Sequence, residues 1–264
     1  MWIRLRQICV VASDLNKTGL DIGAVLGLEA CYIDPGVTRW GLKNTLWPIG
    51  NQFLEVVTPT AEDTTAGRYM ARRGGADTGY MVITHVDDVP RRIARANELG
   101  VRVAFEHHVP EEGQHGVQLH PADTGGALFE FDQMLMERGD EVGGPWNPAG
   151  RHWKPFVRTE LVERITAAVL QSPDPDVLAR RWADIAEAEL TRNAAGHAVL
   201  EFENAHLRFV PETDGRGEGL SGLDIEVTDR DAVLAGARSR GCYVSDDEVE
   251  VGGLRINLLD RASN

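Results

Sequence analysis

Four histidines, His107, His108, His115 and His120, fall within fourteen positions and are interleaved with Glu106, Glu111 and Glu112. Imidazole and carboxylate groups together can hold a metal, but these spacings match no zinc pattern, and Pro110-Glu-Glu-Gly113 reads as a turn. The stretch reads as a solvated hairpin, with a substrate-facing lid as the alternative. Two further carboxylates, Glu55 in Phe53-Leu-Glu-Val-Val57 and Glu130 in Leu128-Phe-Glu-Phe131, sit in runs with strand character, where residues two apart share a face. If both face one cavity, one is held protonated and the other is left as a base, which suits proton removal next to a carbonyl. Gly74-Gly75 and Gly125-Gly126 precede neither a P-loop Lys-Ser nor a strand-to-helix GxGxxG, so no nucleotide cofactor is expected. No Ser-His-Asp or Cys-His arrangement follows from spacing.

Composition narrows the partners. With 27 Lys and Arg against 41 Asp and Glu, the net charge of −14 repels a phosphate backbone or an anionic membrane, leaving a small molecule as the expected partner and a homodimer open. Cys9, Cys31 and Cys242 are odd in number and lack CxxC spacing, which fits a reducing cytoplasm rather than a disulfide framework. The apolar run before Ser13 and Asp14 is too short for a signal-peptide core or a membrane span, so secretion is not expected.

The elements that must carry these residues repeat. A β-branched run ending in Asp, an amphipathic helix and a Gly recur as Gln7 to Asp14 with a helix over 15–26 and Gly27, and as Tyr80 to Asp88 with a helix over 90–99 and Gly100. A third copy starts at Ile165 and breaks at Ser172-Pro-Asp-Pro before a helix over 176–190. A fourth runs from Gly222 to Asp229, with a helix over 231–240 and Gly241. Asp88 and Gly100 map onto Asp229 and Gly241 at one offset of 141 positions. Strands are expected at 30–33, 38–48 and 52–57 after the first helix, and at 101–106, 116–119 and 127–131 after the second. The part of copy two that contains the histidines is fourteen residues longer than its counterpart in copy four. Gly and Pro gather in 139–158, as in a linker. The expected division is 1–138, a linker at 139–158, and 159–264.

Four βαβββ-type modules in two pairs resemble the vicinal oxygen chelate superfamily of glyoxalase-like proteins. Gln7-Ile-Cys-Val-Val-Ala-Ser-Asp-Leu15 is similar to that family's first strand, Phe53 to Pro59 to the end of its first module, and His120 to Phe131 to its closing hairpin. The resemblance implies an α+β fold of two half-barrel domains, each a cup of two modules with a divalent metal on its floor. Carried over residue by residue, the four inward positions are Gln7, Glu55, Met81 and Glu130, a glyoxalase I set with its histidine replaced by methionine. A thioether is a soft ligand, so Gln7, Glu55 and Glu130 would hold Mg2+ or Mn2+ weakly or not at all. His85 shares a strand face with Met81 but lies about 13 Å along it, too far to substitute. The matching positions of the second half, Ala167, Leu207, Gly222 and Asn257, form no metal site.

The resemblance implies a lyase or isomerase that moves a proton on a small carbonyl or thioester substrate in the N-terminal cup. Glu130 and Glu55 would be its catalytic groups, and Trp40, Trp47, Met81, His85 and His120 would line the pocket. Of the two tryptophans, one is expected in the core and one at the pocket wall. The competing class is a non-catalytic binder of the bleomycin-resistance type.

Overall fold

Aspartate explains the repeat. In the computed structural model, which describes residues 1–261, Asp14, Asp88, Asp174 and Asp229 each end a strand run and accept backbone N–H bonds from the first turn of the next helix. Such caps satisfy donors that a helix start leaves unpaired. The first module contains β1 (Ile3–Val11), α1 (Leu15–Leu26), β2 (Leu42–Ile49), β3 (Gln52–Pro59) and α2 (Thr65–Arg72). The second contains β4 (Thr78–Val86), α3 (Val89–Glu98), β5 (Val103–Val109), β6 (Gln114–Leu119), α4 (Pro121–Thr124) and β7 (Leu128–Met134). The third has β8 (Val162–Ser172), α5 (Pro175–Ala186), β9 (Leu190–Arg192), β10 (Ala198–Glu201) and β11 (His206–Pro211). The fourth has β12 (Gly219–Val227), α6 (Arg230–Arg240), β13 (Tyr243–Ser245), β14 (Glu248–Val251) and β15 (Leu254–Asp260).

The strands form two sheets, ordered β2-β3-β1-β4-β7-β6-β5 and β13-β14-β15-β12-β8-β11-β10-β9. Each sheet comes from one half of the sequence, and β4 with β7, like β12 with β15, pairs in parallel. The fold is α+β, as the sequence anticipates.

Three expectations need correction. The strand expected over 38–48 begins only at Leu42, because Asp34 caps a 3-10 turn over Pro35–Trp40 and Gly41 leaves it with φ 68°. The strand expected over 30–33 amounts to a single bridge between Tyr32 and Leu46. Helix α5 stops at Ala186 rather than reaching 190, since Glu187 turns left-handed (φ 47°). No helix among the described residues is long and apolar enough to cross a membrane.

Compactness divides the chain differently from the sheets. One unit comprises Met1–Gln7, Met81–Asn147 and Ala168–Leu220; the other comprises Ile8–Tyr80, Pro148–Ala167 and Ser221–Asn264. In the first unit α3 lies on α5: Arg91 pairs with Glu187 at 2.9 Å, and the buried Arg92 donates to the Ala186 carbonyl. Trp182 of α5 stacks on Phe129 of β7 at 4.3 Å. The Asn204 amide clasps the backbone of Leu5, accepting its N–H and donating to its carbonyl, both at 2.9 Å.

In the second unit α1 lies on α6, where the buried Asp21 accepts from Arg240 at 2.7 Å and from Lys17 at 2.9 Å. A Cβ on Gly236 would stand 2.1 Å from the Ala24 carbonyl oxygen, so only glycine admits this approach. Gln52 clasps Ile165 as Asn204 clasps Leu5, at 2.9 and 3.0 Å.

Candidate functional site

Strand register decides which side chains share a face. In the first unit, β4 against β7 sets Met81, Ile83 and His85 beside Leu128, Glu130 and Asp132. Phe129 and Phe131 alternate to the other face, where Trp182 of α5 and Arg92 of α3 cover them. Glu130 and Asp132 therefore face away from the helices. Across β6, Gln118 stands beside Glu130 and Gly116 beside Asp132, and His107 of β5 follows.

These groups form a buried polar cluster. Gln114 Nε2 donates to Asp132 Oδ1 at 3.0 Å, and His107 Nε2 lies 3.7 Å from the same oxygen. A Cβ on Gly116 would come within 2.2 Å of the His107 ring and 2.3 Å of Asp132 Oδ1, so its missing side chain is what lets the two meet. Burial pushes the Asp132 carboxyl above its ordinary value, against the pull of His107 and of hydrogen bonds from Gln114 and Glu130. A buried carboxyl that keeps its proton beside a second carboxyl is suited to acid and base work.

His85 occupies the same face and is 1% exposed. Trp2 meets its ring edge-on at 4.7 Å and Trp146 at 5.6 Å, and the Gly139 backbone bonds to it. Burial, reinforced by Arg6 and Arg4, holds the imidazole neutral down to about 3. The Trp146 indole N–H donates to Gln7 Oε1 at 2.8 Å. The Arg6 guanidinium lies 5.4 Å from the Trp146 ring and donates to the Gly144 carbonyl; burial, with Arg4 beside it, lowers its proton affinity to about 9.

In the second unit, β2 against β3 puts Asn44, Leu46 and Pro48 on the face of Phe53, Glu55 and Val57. Asn44 Nδ2 donates to Glu55 Oε1 at 2.6 Å, and Asn44 Oδ1 accepts from the Asp34 amide. Trp153 packs edge-on against Phe53 at 5.0 Å.

The remaining expected pocket residues are placed elsewhere. Trp47 lies on the opposite strand face, where a Cβ on Gly19 of α1 would come 3.1 Å from its ring; it is a core residue. A surface depression of about 380 Å3 beside it is lined by Leu15, Asn16, Gly19, Leu20 and Thr45, on the helix face rather than the Glu55 face. Trp40 belongs to the 3-10 turn, exposed beneath Arg39 at 4.1 Å. His120 caps α4, accepting from the Ala122 amide through Nδ1. The other histidines divide by register: His107 turns toward Asp132, while His115 and Glu106 pair at 2.9 Å on the opposite face.

Sequence reasoning missed Asp132, Gln114, Asn44, Arg6 and Trp146. Phe129-Glu-Phe-Asp132 carried a usable signal for the first, since the alternation places Asp132 on the face of Glu130. Trp146 stood inside a Gly and Pro stretch whose composition masks an anchor.

The model of the glyoxalase-like domain family matches residues 8–186. The chain belongs to that family, within the vicinal oxygen chelate superfamily. Mitochondrial methylmalonyl-CoA epimerase of Bos taurus is 27% identical over 133 residues, 49% of this glyoxalase-like chain and 74% of the bovine protein. A variant of 4-hydroxymandelate synthase from Streptomyces coelicolor superposes with a TM-score of 0.70 at 13% identity, covering 98% of this chain and 92% of its own. A hypothetical protein from Staphylococcus aureus does so at 0.65 and 11%, covering 98% and 100%. These two structures share the fold.

The glyoxalase-like metal position is poorly served here. Gln7 Oε1 is engaged by the Trp146 indole, Glu55 Oε1 by Asn44, and Met81 offers a thioether. Among the described residues no three His, Cys, Asp or Glu side chains group as metal ligands. The donor set does not fit a tightly held divalent ion.

Proposed function

We propose that this glyoxalase-like protein moves a proton next to the carbonyl of a small oxygenated substrate, a ketone or thioester, as an isomerase or lyase. The observation that carries the reading is the buried Glu130 and Asp132 pair on the face turned from the helices, joined by Gln114 and His107. Glu130 takes the proton and Asp132 tunes it. Gln7, Met81 and His85 contact the substrate. The kinship with methylmalonyl-CoA epimerase makes acyl-CoA thioesters the first class to try.

On this reading residues 1–138 and 159–264 are the two half-barrel domains, with 139–158 between them, in a cytoplasmic protein whose three cysteines form no disulfide. The test is deuterium incorporation from D2O at the α carbon of methylmalonyl-CoA and of simple β-dicarbonyls. The wild type is expected to exchange its substrate, and Glu130→Gln to slow exchange by about 10²- to 10⁴-fold without loss of fold. Equal exchange by both proteins removes Glu130 from the chemistry. A sequestering binder is the second reading, favoured by the aromatic enclosure of His85; saturable binding without any exchange would select it.

A further inference from the structure

Of the six tryptophans, Trp2, Trp40, Trp146, Trp153 and Trp182 each meet an aromatic ring or a cation. Trp47 meets neither, and among the described residues its indole N–H has no acceptor. The side chain is nevertheless only 5% exposed, and a buried indole N–H ordinarily finds a partner. The nitrogen is not sealed from solvent, because Trp47 lines the depression of about 380 Å3 between α1 and β2. Gly19 of α1 makes this approach possible. A Cβ there would stand 3.1 Å from Cζ2 and 3.4 Å from Cη2 of the ring, on the edge that leads through Cε2 to Nε1.

The other lining residues limit what the N–H can meet. Leu15 and Leu20 flank Gly19, and Leu20 is 64% exposed. None of the lining residues is charged, although 26% of the chain is, so nothing in the depression offsets an ionic ligand. Thr45 stands two residues before Trp47 on β2 and shares its strand face. Its hydroxyl donates to the Asn44 carbonyl at 2.8 Å, which leaves the oxygen to accept. A donor without an acceptor and an oxygen whose hydrogen is already used thus stand about 7 Å apart along one strand, beside apolar flanks. Small-molecule sites of about 300–1,000 Å3 combine an apolar lining with a few polar groups in this way.

We propose that the depression between α1 and β2 binds a small neutral amide with an apolar substituent. The amide carbonyl accepts from Trp47 Nε1, the amide N–H donates to Thr45 Oγ1, and the substituent lies against Leu15 and Leu20. Asn16, exposed at the rim, can serve either end of the amide. The site uses no residue of the Glu130 face, so it stands apart from the proton transfer proposed there and gives the protein a second ligand.

Benzamide is the probe, titrated into wild-type protein carrying 15N-tryptophan beside acetophenone, which keeps the carbonyl and lacks the N–H, and toluene, which lacks both. The Trp47 indole resonance is assigned by its nuclear Overhauser contacts with Gly19. The expected result is a saturable downfield shift of the Trp47 N–H proton, with the other indole signals unmoved. Benzamide should bind at least tenfold more tightly than acetophenone, the worth of one hydrogen bond, and acetophenone more tightly than toluene. Thr45→Val keeps the shape and removes the hydroxyl, and is expected to lower benzamide to the level of acetophenone. A Trp47 signal that stays in place up to the solubility limit of benzamide overturns the site. Equal binding of the three probes, or a preference for benzamide that survives Thr45→Val, overturns the amide as the ligand. Should Thr45→Val fail to fold, the ranking of the three probes on the wild type decides alone.

Discussion

Two glycines in facing helices of one unit should respond to the same substitution with opposite signs. Gly236 of α6 would carry a Cβ 2.1 Å from the Ala24 carbonyl oxygen and 3.2 Å from the Val25 Cα, whereas a Cβ on Gly23 of α1 would meet only the Leu28 carbonyl oxygen, at 3.7 Å. A close carbon-to-carbonyl contact needs about 3.3 Å, so alanine at 236 forces the helices apart by about 1 Å. Both atoms of the clash belong to rigid parts, which puts the cost near the upper end of overpacking, about 3 kcal/mol, against about 1 kcal/mol gained by replacing a helical glycine. The net loss of about 2 kcal/mol lowers Tm by about 4–8 °C, while Gly23→Ala, keeping only the gain, raises it by about 2–4 °C. Calorimetry of the two variants beside the wild type is the assay. Gly236→Ala melting at or above the wild type would refute the close approach of α1 and α6.

Asp132→Asn tests the buried carboxyl. Because the folded protein holds the proton more tightly than the unfolded chain, the unfolded state releases it first as pH rises, and the native carboxyl loses stability progressively above the ordinary carboxylate range. Asp132→Asn is expected to melt higher than wild type at pH 8, with the difference shrinking toward pH 4; melting curves across that range check the sign. Gln52→Ala leaves the buried Ile165 N–H and carbonyl without their partners and should cost about 2–5 kcal/mol in a urea titration, and a loss under 1 kcal/mol would remove the clasp from the fold's energetics.

The sequence makes legible what is periodic and local. Aspartates before helices and glycines after them repeat because the unpaired groups at helix ends demand them, and the register follows at once. The face of Glu130 is readable from Phe129-Glu-Phe131, since a strand cannot put both phenylalanines under a helix and keep the carboxylate there. What escapes is set by contacts distant in the chain. Trp47 lies under α1 because Gly19 leaves it room, and Trp40 leaves its strand because Asp34, Pro35, Gly36 and Gly41 together close a turn. The indole of Trp146 meets Gln7 across 139 positions, and nothing in its own neighbourhood announces the partner.

The reciprocal amide clasps bear on how the protein is made. Asn204 holds Leu5, Gln52 holds Ile165, and each compact unit takes its helix pair from opposite halves of the chain, α3 with α5 and α1 with α6. During synthesis neither unit can close when the first half leaves the ribosome. Arg92, which is buried against the carbonyl of Ala186, remains in water until α5 arrives, and the first unit ends only at Leu220. At about 5–20 residues per second, the wait from Asn147 to Leu220 is on the order of 4–15 s, during which the apolar faces of β7 and α3 stand open to chaperones or to a neighbouring nascent chain.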